Sequence, residues 1–563
     1  MQVDGNSDAH NAQGAHASMR HARRAWLAVF TVLLVMPWTL TASAALCYVN
    51  GVAVGANSGA SWTDSYTDLH LALANVNCAE VWVAQGIYKP TAGTSFNVGA
   101  NVAVYGGFSG SEGSVDARDP AAHLTILSGD IDNNDASVNG VDADSTKIAG
   151  SNSHHIVVMD GAAGTPITAT TVLDGFTLTG GDNSASADPA EGGGALWCKG
   201  GGAGHACSPT LARLVFSGNK AKYGGALALE GYSVGASNPT LTNVIFSGNS
   251  AGFFAGAMYN NAQGGTCSPT LTNVTFIGNS STGSPAFGGA MVDDGGGAGT
   301  SSPILTNVTF SGNSASNGAG AMMINGASGT NSPTLNNVTF NDNQVTGGNG
   351  GAMYISGSST SSVTLTNTTF YHNSANAGNG GAIYHSGNNG DFSLTLYNAT
   401  INSNSANNGG AIYNAGLNSN PFLINSIVWG DSATTSGPEF AYAASSGGID
   451  LYFSIIQNGC AANNCGGGGP NEANLTGDPV LGPLADNGGF TRTMMPGAGS
   501  AAINALPCDD SRQVPLTDQR GAVRPDSASA GATRCDIGAV EASSLPGDLI
   551  FAAKFGSYPW DTY

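Results

Sequence analysis

Charge is what this sequence has least of. Asp, Glu, Lys and Arg make up 9% of 563 residues, and no basic residue stands between Lys222 and Arg492. Recognition of a phosphate backbone needs clustered Lys and Arg, which argues against a nucleic-acid partner. An anionic membrane surface would repel a chain of formal net charge -21. Also missing from the repeats is an amphipathic pattern of ten or more residues, which removes helices as building blocks. No CxxC pair or Cys/His cluster has zinc spacing. Beyond residue 44 no apolar run is long enough for a membrane span.

What the chain has is glycine, 83 residues of it, with Val, Ile, Leu, Phe and Met returning at regular intervals. Disordered chains lack such apolar residues, so the glycines punctuate a fold. Leu241 to Asn249 returns as Leu271 to Asn279, Leu305 to Asn313, Leu335 to Asn343 and Leu365 to Asn373, and more weakly as Leu396 to Asn404. Between copies stands a second motif, as in Gly224-Gly225-Ala226-Leu227 and Gly380-Gly381-Ala382-Ile383. One unit of about 30 residues cannot bury its apolar face alone, whereas stacked units share an interior. The fold expected is all-β: a single-stranded, right-handed parallel β-helix with caps at both ends. The two-residue period puts Val244 and Phe246 inside, so Phe216, Phe246, Phe276, Phe310, Phe340 and Phe370 form one internal column. The Asn three residues after each Phe is expected at a tight turn, in left-handed backbone, with amides bonded from coil to coil.

Arg20, Arg23 and Arg24, the apolar run from Ala25 to Leu40 and Ala42-Ser43-Ala44 compose an export signal over residues 1–44, with Met19 as an alternative start. Exported cysteines are expected to pair. Neighbours suggest Cys47 with Cys78, Cys198 with Cys207, Cys460 with Cys465 and Cys508 with Cys535, although spacing alone does not prove connectivity. Stacking decides one case. Cys207 and Cys267 occupy equivalent positions two coils apart, roughly 9–10 Å on the sheet spacing and beyond disulfide reach, so Cys267 is expected to be free.

The alternation of Phe-x-x-Asn with Gly-Gly-Ala resembles the polymorphic outer membrane protein repeats of chlamydial surface proteins. A fuller resemblance is to bacterial right-handed parallel β-helix proteins with a choice-of-anchor Q domain. It rests on Ser61 to Asp64 with Leu69 to Ala74, Glu80 to Pro90, Tyr105 to Phe108 through Asp130, Leu173 to Leu178, and Asp518 to Gly521 with Cys535 to Glu541. The resemblance implies an exported surface or extracellular protein. Residues 45–150 would then be an N-terminal cap and first irregular coils, 151–469 the regular helix, 470–541 a C-terminal cap over the last coil, and 542–563 a tail, in which no sorting motif or apolar span is seen.

Candidate chemistry is sparse. Lyase-type proton abstraction commonly uses Arg or Lys as the base, and neither stands between Tyr223 and Thr491. Asp293, Asp294 and Glu230 follow equivalent Gly-Gly-Ala strands and could supply the carboxylates of a polysaccharide hydrolase, or be plain loop acids. Asp130, Asp132, Asn134 and Asp135 offer hard oxygens at alternate positions, as a calcium loop does; the alternative is an acidic loop. His372 and His385 read as surface or turn residues. With Val and Phe inside, Asn243, Asn273, Asn307, Asn337 and Asn367 face out beside Thr275, Thr309, Thr339 and Thr369. This stripe is expected to be a long flat face, open to glycan or protein partners or else a plain polar sheet surface. The leading expectation is therefore an adhesin-like, non-enzymatic protein, secreted or at the cell surface. A polysaccharide-degrading enzyme and an ice-binding face are the alternatives.

Overall fold

The computed structural model describes residues 45–185, 192–326, 328–357, 361–387, 393–417, 419–444, 446–460, 465, 474–508, 514–525 and 533–542. The chain divides into units 1–43 and 44–563; the export signal and the tail from 543 lie outside the described residues.

Short runs of β-branched and aromatic residues, cut by Gly and Asn turns, pair with their copies one coil away. Phe246 pairs with Phe276, Phe276 with Phe310, Phe310 with Phe340 and Phe340 with Phe370, always in parallel. The result is a parallel β-solenoid of about 13 turns. Its coils build three parallel sheets of 20, 11 and 9 strands, and the largest bends at one positive-φ residue per coil. The short α-helix Leu69–Ala74 adds its Leu69 and Ala72 to the main core at the N-terminal end.

The Phe column stands as expected. Successive rings from Phe216 to Phe370 lie 4.8 Å apart and within 5° of parallel. The second Gly of each Gly-Gly-Ala has no room for a side chain: a Cβ on Gly225 would sit 2.2 Å from the carbonyl oxygen of Gly256. All four cysteine pairs form, and Cys267 is free and buried.

Two expectations are corrected. The Asn after each Phe is fully buried and is not the left-handed residue. Gly218, Gly248, Gly278 and Gly312, one position earlier, take the positive φ, as do Asp342 and His372. The turn thus points Asn inward, where its amide can replace the backbone partners that the turn removes. Nδ2 of Asn219 donates to Oδ1 of Asn249 at 3.0 Å, and the pattern repeats through Asn279, Asn313, Asn343 and Asn373 to Asn404. The rail ends on Asp431, whose Oδ1 accepts from Asn404 Nδ2 at 2.8 Å. All its donors point one way, so the positive end of the aligned dipoles meets a carboxyl group.

The second correction concerns the C-terminal segment. Cys460 and Cys465 pack against the end of the main core, and Leu475 bridges to Ile455. Residues beyond 480 instead fold back along the outside of the bent sheet. There Ala502, Leu506, Cys535 and Ile537 build a second core on Ile427 and Ile455. Arg520 with Asp518 (2.7 Å) and Arg524 with Glu541 (3.0 Å) are buried ion pairs inside that segment.

Candidate functional site

The bend in the large sheet is made by one residue per coil in left-handed conformation. Gly175, Arg213, Asn243, Asn273, Asn307, Asn337, Asn367, Asn398, Asn425 and Phe453 form this column, the nine non-glycine residues with φ of 48–58°. Asn supplies most of it because Asn adopts positive φ at low cost. Its amides make a second ladder: Asn273 Nδ2 donates to Asn243 Oδ1, Asn307 to Asn273, Asn337 to Asn307 and Asn367 to Asn337, at 3.0–3.2 Å. The donors here point toward the N-terminal coils, opposite to the internal rail. Beside them runs the outward column Ile245, Thr275, Thr309, Thr339, Thr369, Thr400, Ile427 and Ile455. We term the strip between the two columns, along the outer face of the bend, the groove.

The groove is filled at both ends. Arg118 reaches over Gly175, where a Cβ would lie 2.7 Å from its Nη1, and both Arg118 and Arg213 bind the Asp174 carboxylate. At the other end the C-terminal segment lies in the groove. Thr339 donates to the Arg492 carbonyl (2.7 Å), Thr369 to Gln519 Oε1 (2.6 Å) and Asn367 to the Thr517 carbonyl (2.9 Å), while Thr400 accepts the Ala539 N–H (3.1 Å). Thr339, Thr369 and Asn367 are accordingly buried. The long flat face expected from the pattern is thus corrected to a short one: Asn243, Asn273, Thr275, Asn307 and Thr309 remain partly exposed, and Asn337 stands at the border. A switch in the outward column from Thr to Ile427 and Ile455 was the available sign of cover. Phe490 and Arg492 are exposed at this border.

The carboxylates singled out lie on the second parallel sheet, the 11-stranded one that carries Leu227–Glu230 and Met291–Asp294, and are built into the scaffold. Asp294 is 4% exposed. Its Oδ2 accepts from Tyr259 Oη (2.9 Å) and Gln263 Nε2 (2.8 Å), and its Oδ1 from Asn325 Nδ2 (3.1 Å) and the Gly296 N–H (3.1 Å). Four donors saturate an acceptor that a general base would need to keep open. Asp293 faces the lumen, fully buried, bonded to Asn260 Nδ2 at 2.5 Å. Burial pushes its carboxyl up to about 7, against the lowering by Asn260. Glu230 is aligned with Asp294 two coils away, through Asn261, and is also buried. The three do not open onto one cleft: Asp293 points to the opposite side of its strand from Asp294.

The acidic run does not converge on a cation either. Lys89 Nζ binds Asp130 and Asn133, Asp132 accepts from Asn134 Nδ2 and the Ser151 N–H, and Asp135 from the Ala149 N–H and Asn152 Nδ2. Among the described residues no group of three or more His, Cys, Asp or Glu side chains is placed to hold a metal ion. Burial, then the neighbouring Asp135, raises Asp142 to about 7. His372 is an exposed turn residue bonded to Asp342 at 2.7 Å. His385, expected at the surface, is fully buried against Asn414 and is pushed down to about 4 by that burial.

Residues 367–386 match the Chlamydia polymorphic membrane protein repeat. They run from Asn367 in the groove through the buried rail Asn373 to Ala382-Ile383 at the second sheet, about two thirds of one coil. No curated protein matches the chain. Among solved structures, one described as XylC in complex with xylose is 8% identical with a TM-score of 0.44, covering 89% of this chain and 99% of that one. A rhamnogalacturonan lyase is 10% identical with a TM-score of 0.33, covering 81% and 96%. Among the described residues no helix is long and apolar enough to cross a membrane.

Proposed function

We propose that this chain is a non-catalytic binding protein at the cell surface or in the medium, and that the open stretch of groove is where it takes glycan or protein partners. The observation that carries the reading is the pair of Asn and Thr columns, bonded to another segment over one half and uncovered over the next. The saturated hydrogen bonds of Asp294 and the inward Asp293 count against hydrolysis. The matched repeat suggests an outer-membrane or surface location; the export signal over 1–44 and an anchor-Q-like role for 470–541 belong to the same proposal. The test is a panel of acidic and neutral polysaccharides incubated with the purified protein, following reducing ends and unsaturated-uronate absorbance. No turnover is expected. Turnover that disappears in Asp294→Asn would overturn the reading and return the second sheet to candidacy as an active site.

A further inference from the structure

The covered half of the groove shows what its columns hold. Thr339, Asn367 and Thr400 each bond main-chain groups of the C-terminal segment at three separate stretches, the carbonyls of Arg492 and Thr517 and the N–H of Ala539, while Thr339 and Thr369 also bond the Gln519 side-chain amide. The same residue types stand one and two coils earlier at Asn273, Thr275, Asn307 and Thr309. There the two threonine hydroxyls have no hydrogen-bond partner among the described residues, and both side chains are half-exposed. The floor is continuous, its backbone geometry is unchanged, and its polar groups are in the same rows.

We infer that the open stretch binds an extended polypeptide segment of another molecule, held through its main chain as the C-terminal segment is held, with an acidic side chain directed to Arg492. The inference rests on the binding reading above and names its partner. Three coils at the parallel-strand spacing give about 14 Å of floor, enough for roughly four extended residues. Arg492 is the first basic residue after Lys222, lies exposed at the covered end of the stretch, and makes no side-chain hydrogen bond or ion pair among the described residues. On a chain of net charge -21, such an isolated guanidinium is a local attraction for a carboxylate.

Random heptapeptides displayed on phage and selected on the full-length protein would supply the probes, with tetragalacturonate as the glycan arm. Selected peptides should carry Asp or Glu toward one end. Calorimetry should show at least tenfold weaker binding to Thr275→Val/Thr309→Val and at least threefold weaker binding to Arg492→Gln, with melting temperatures unchanged within about 2 °C. A Thr275→Ser/Thr309→Ser variant, which keeps the hydroxyls, should bind as the wild type does and guards against a folding artefact. No enriched peptide, or peptides indifferent to the Val and Gln variants, overturns the inference. Tetragalacturonate binding that is lost in the Val variant would also overturn it, by assigning the groove to glycans, while leaving the binding reading standing. Failure of that broader reading would look different: catalytic turnover dependent on Asp294.

Discussion

Replacing Asn313, a middle rung of the internal amide rail, tests whether the rail or the apolar packing holds the coils in register. The side chain is fully buried and makes four hydrogen bonds. Its Nδ2 donates to the Phe276 carbonyl and to Asn343 Oδ1, and its Oδ1 accepts from the N–H and the Nδ2 of Asn279, all at 3.0 Å. In Asn313→Ala the Asn279 Nδ2 keeps the Phe246 carbonyl, and Asn343 Oδ1 keeps the Asn313 N–H. The Asn279 N–H is left buried without an acceptor, at ~1–3 kcal/mol, and the other lost bonds add ~0.5–1.5 kcal/mol each. The expected loss is about 5 kcal/mol. At ~2.1 cal/mol/K per residue, unfolding residues 44–563 as one unit lowers the melting temperature by roughly 4–5 °C. Asn313→Asp keeps the shape but aims an acceptor at two acceptors. It should cost more than Ala, and increasingly so as pH rises and the buried carboxyl must ionise. Thermal melts at pH 5 and pH 8 read both effects. An Ala variant within about 1 kcal/mol of wild type, or an Asp variant more stable than Ala at pH 8, would refute the argument.

Two further outcomes are expected. Asp431, which ends the rail, faces Glu439. Burial raises them to about 6 and about 10, with their mutual interaction raising Glu439 and lowering Asp431. Raised carboxyl pKa values mean that the folded state keeps protons the unfolded state releases, so this contribution is full below about pH 4 and is lost as pH rises. Glu439→Gln should remove a stability slope of at most ~1.4 kcal/mol per pH unit between about pH 5 and 8, read as the difference between wild-type and variant denaturant melts; identical slopes would discard the shared proton. Phe310→Ala should cost ~3–5 kcal/mol, because both ring faces are stacked at 4.8 Å; a loss no larger than that of an exposed Thr275→Ala would show that the column is incidental.

The repeat was legible because a solenoid is nearly one-dimensional. Residues one coil apart in sequence are neighbours in space, so spacing alone aligned Phe with Phe and separated Cys207 from Cys267. Which Asn takes the left-handed turn was not legible, since two Asn columns recur with the same period and only φ distinguishes Asn243 from Asn249. The candidate carboxylates were misjudged for a related reason. A repeat pattern tells which face a residue occupies, but not which of Tyr259, Gln263 and Asn325 has already claimed its oxygens.

By itself the sequence determined the stack: parallel coils, an aromatic column and a Cys267 out of reach of Cys207, all consequences of identical units needing a common interior. Only the tertiary structure decided where the surface is. The segment after residue 480 has no periodic relation to the coils it covers. Its choice of the groove over the end of the helix came from side chains meeting across more than a hundred residues, as Thr369 meets Gln519, and that contact reduced a long face to three open coils.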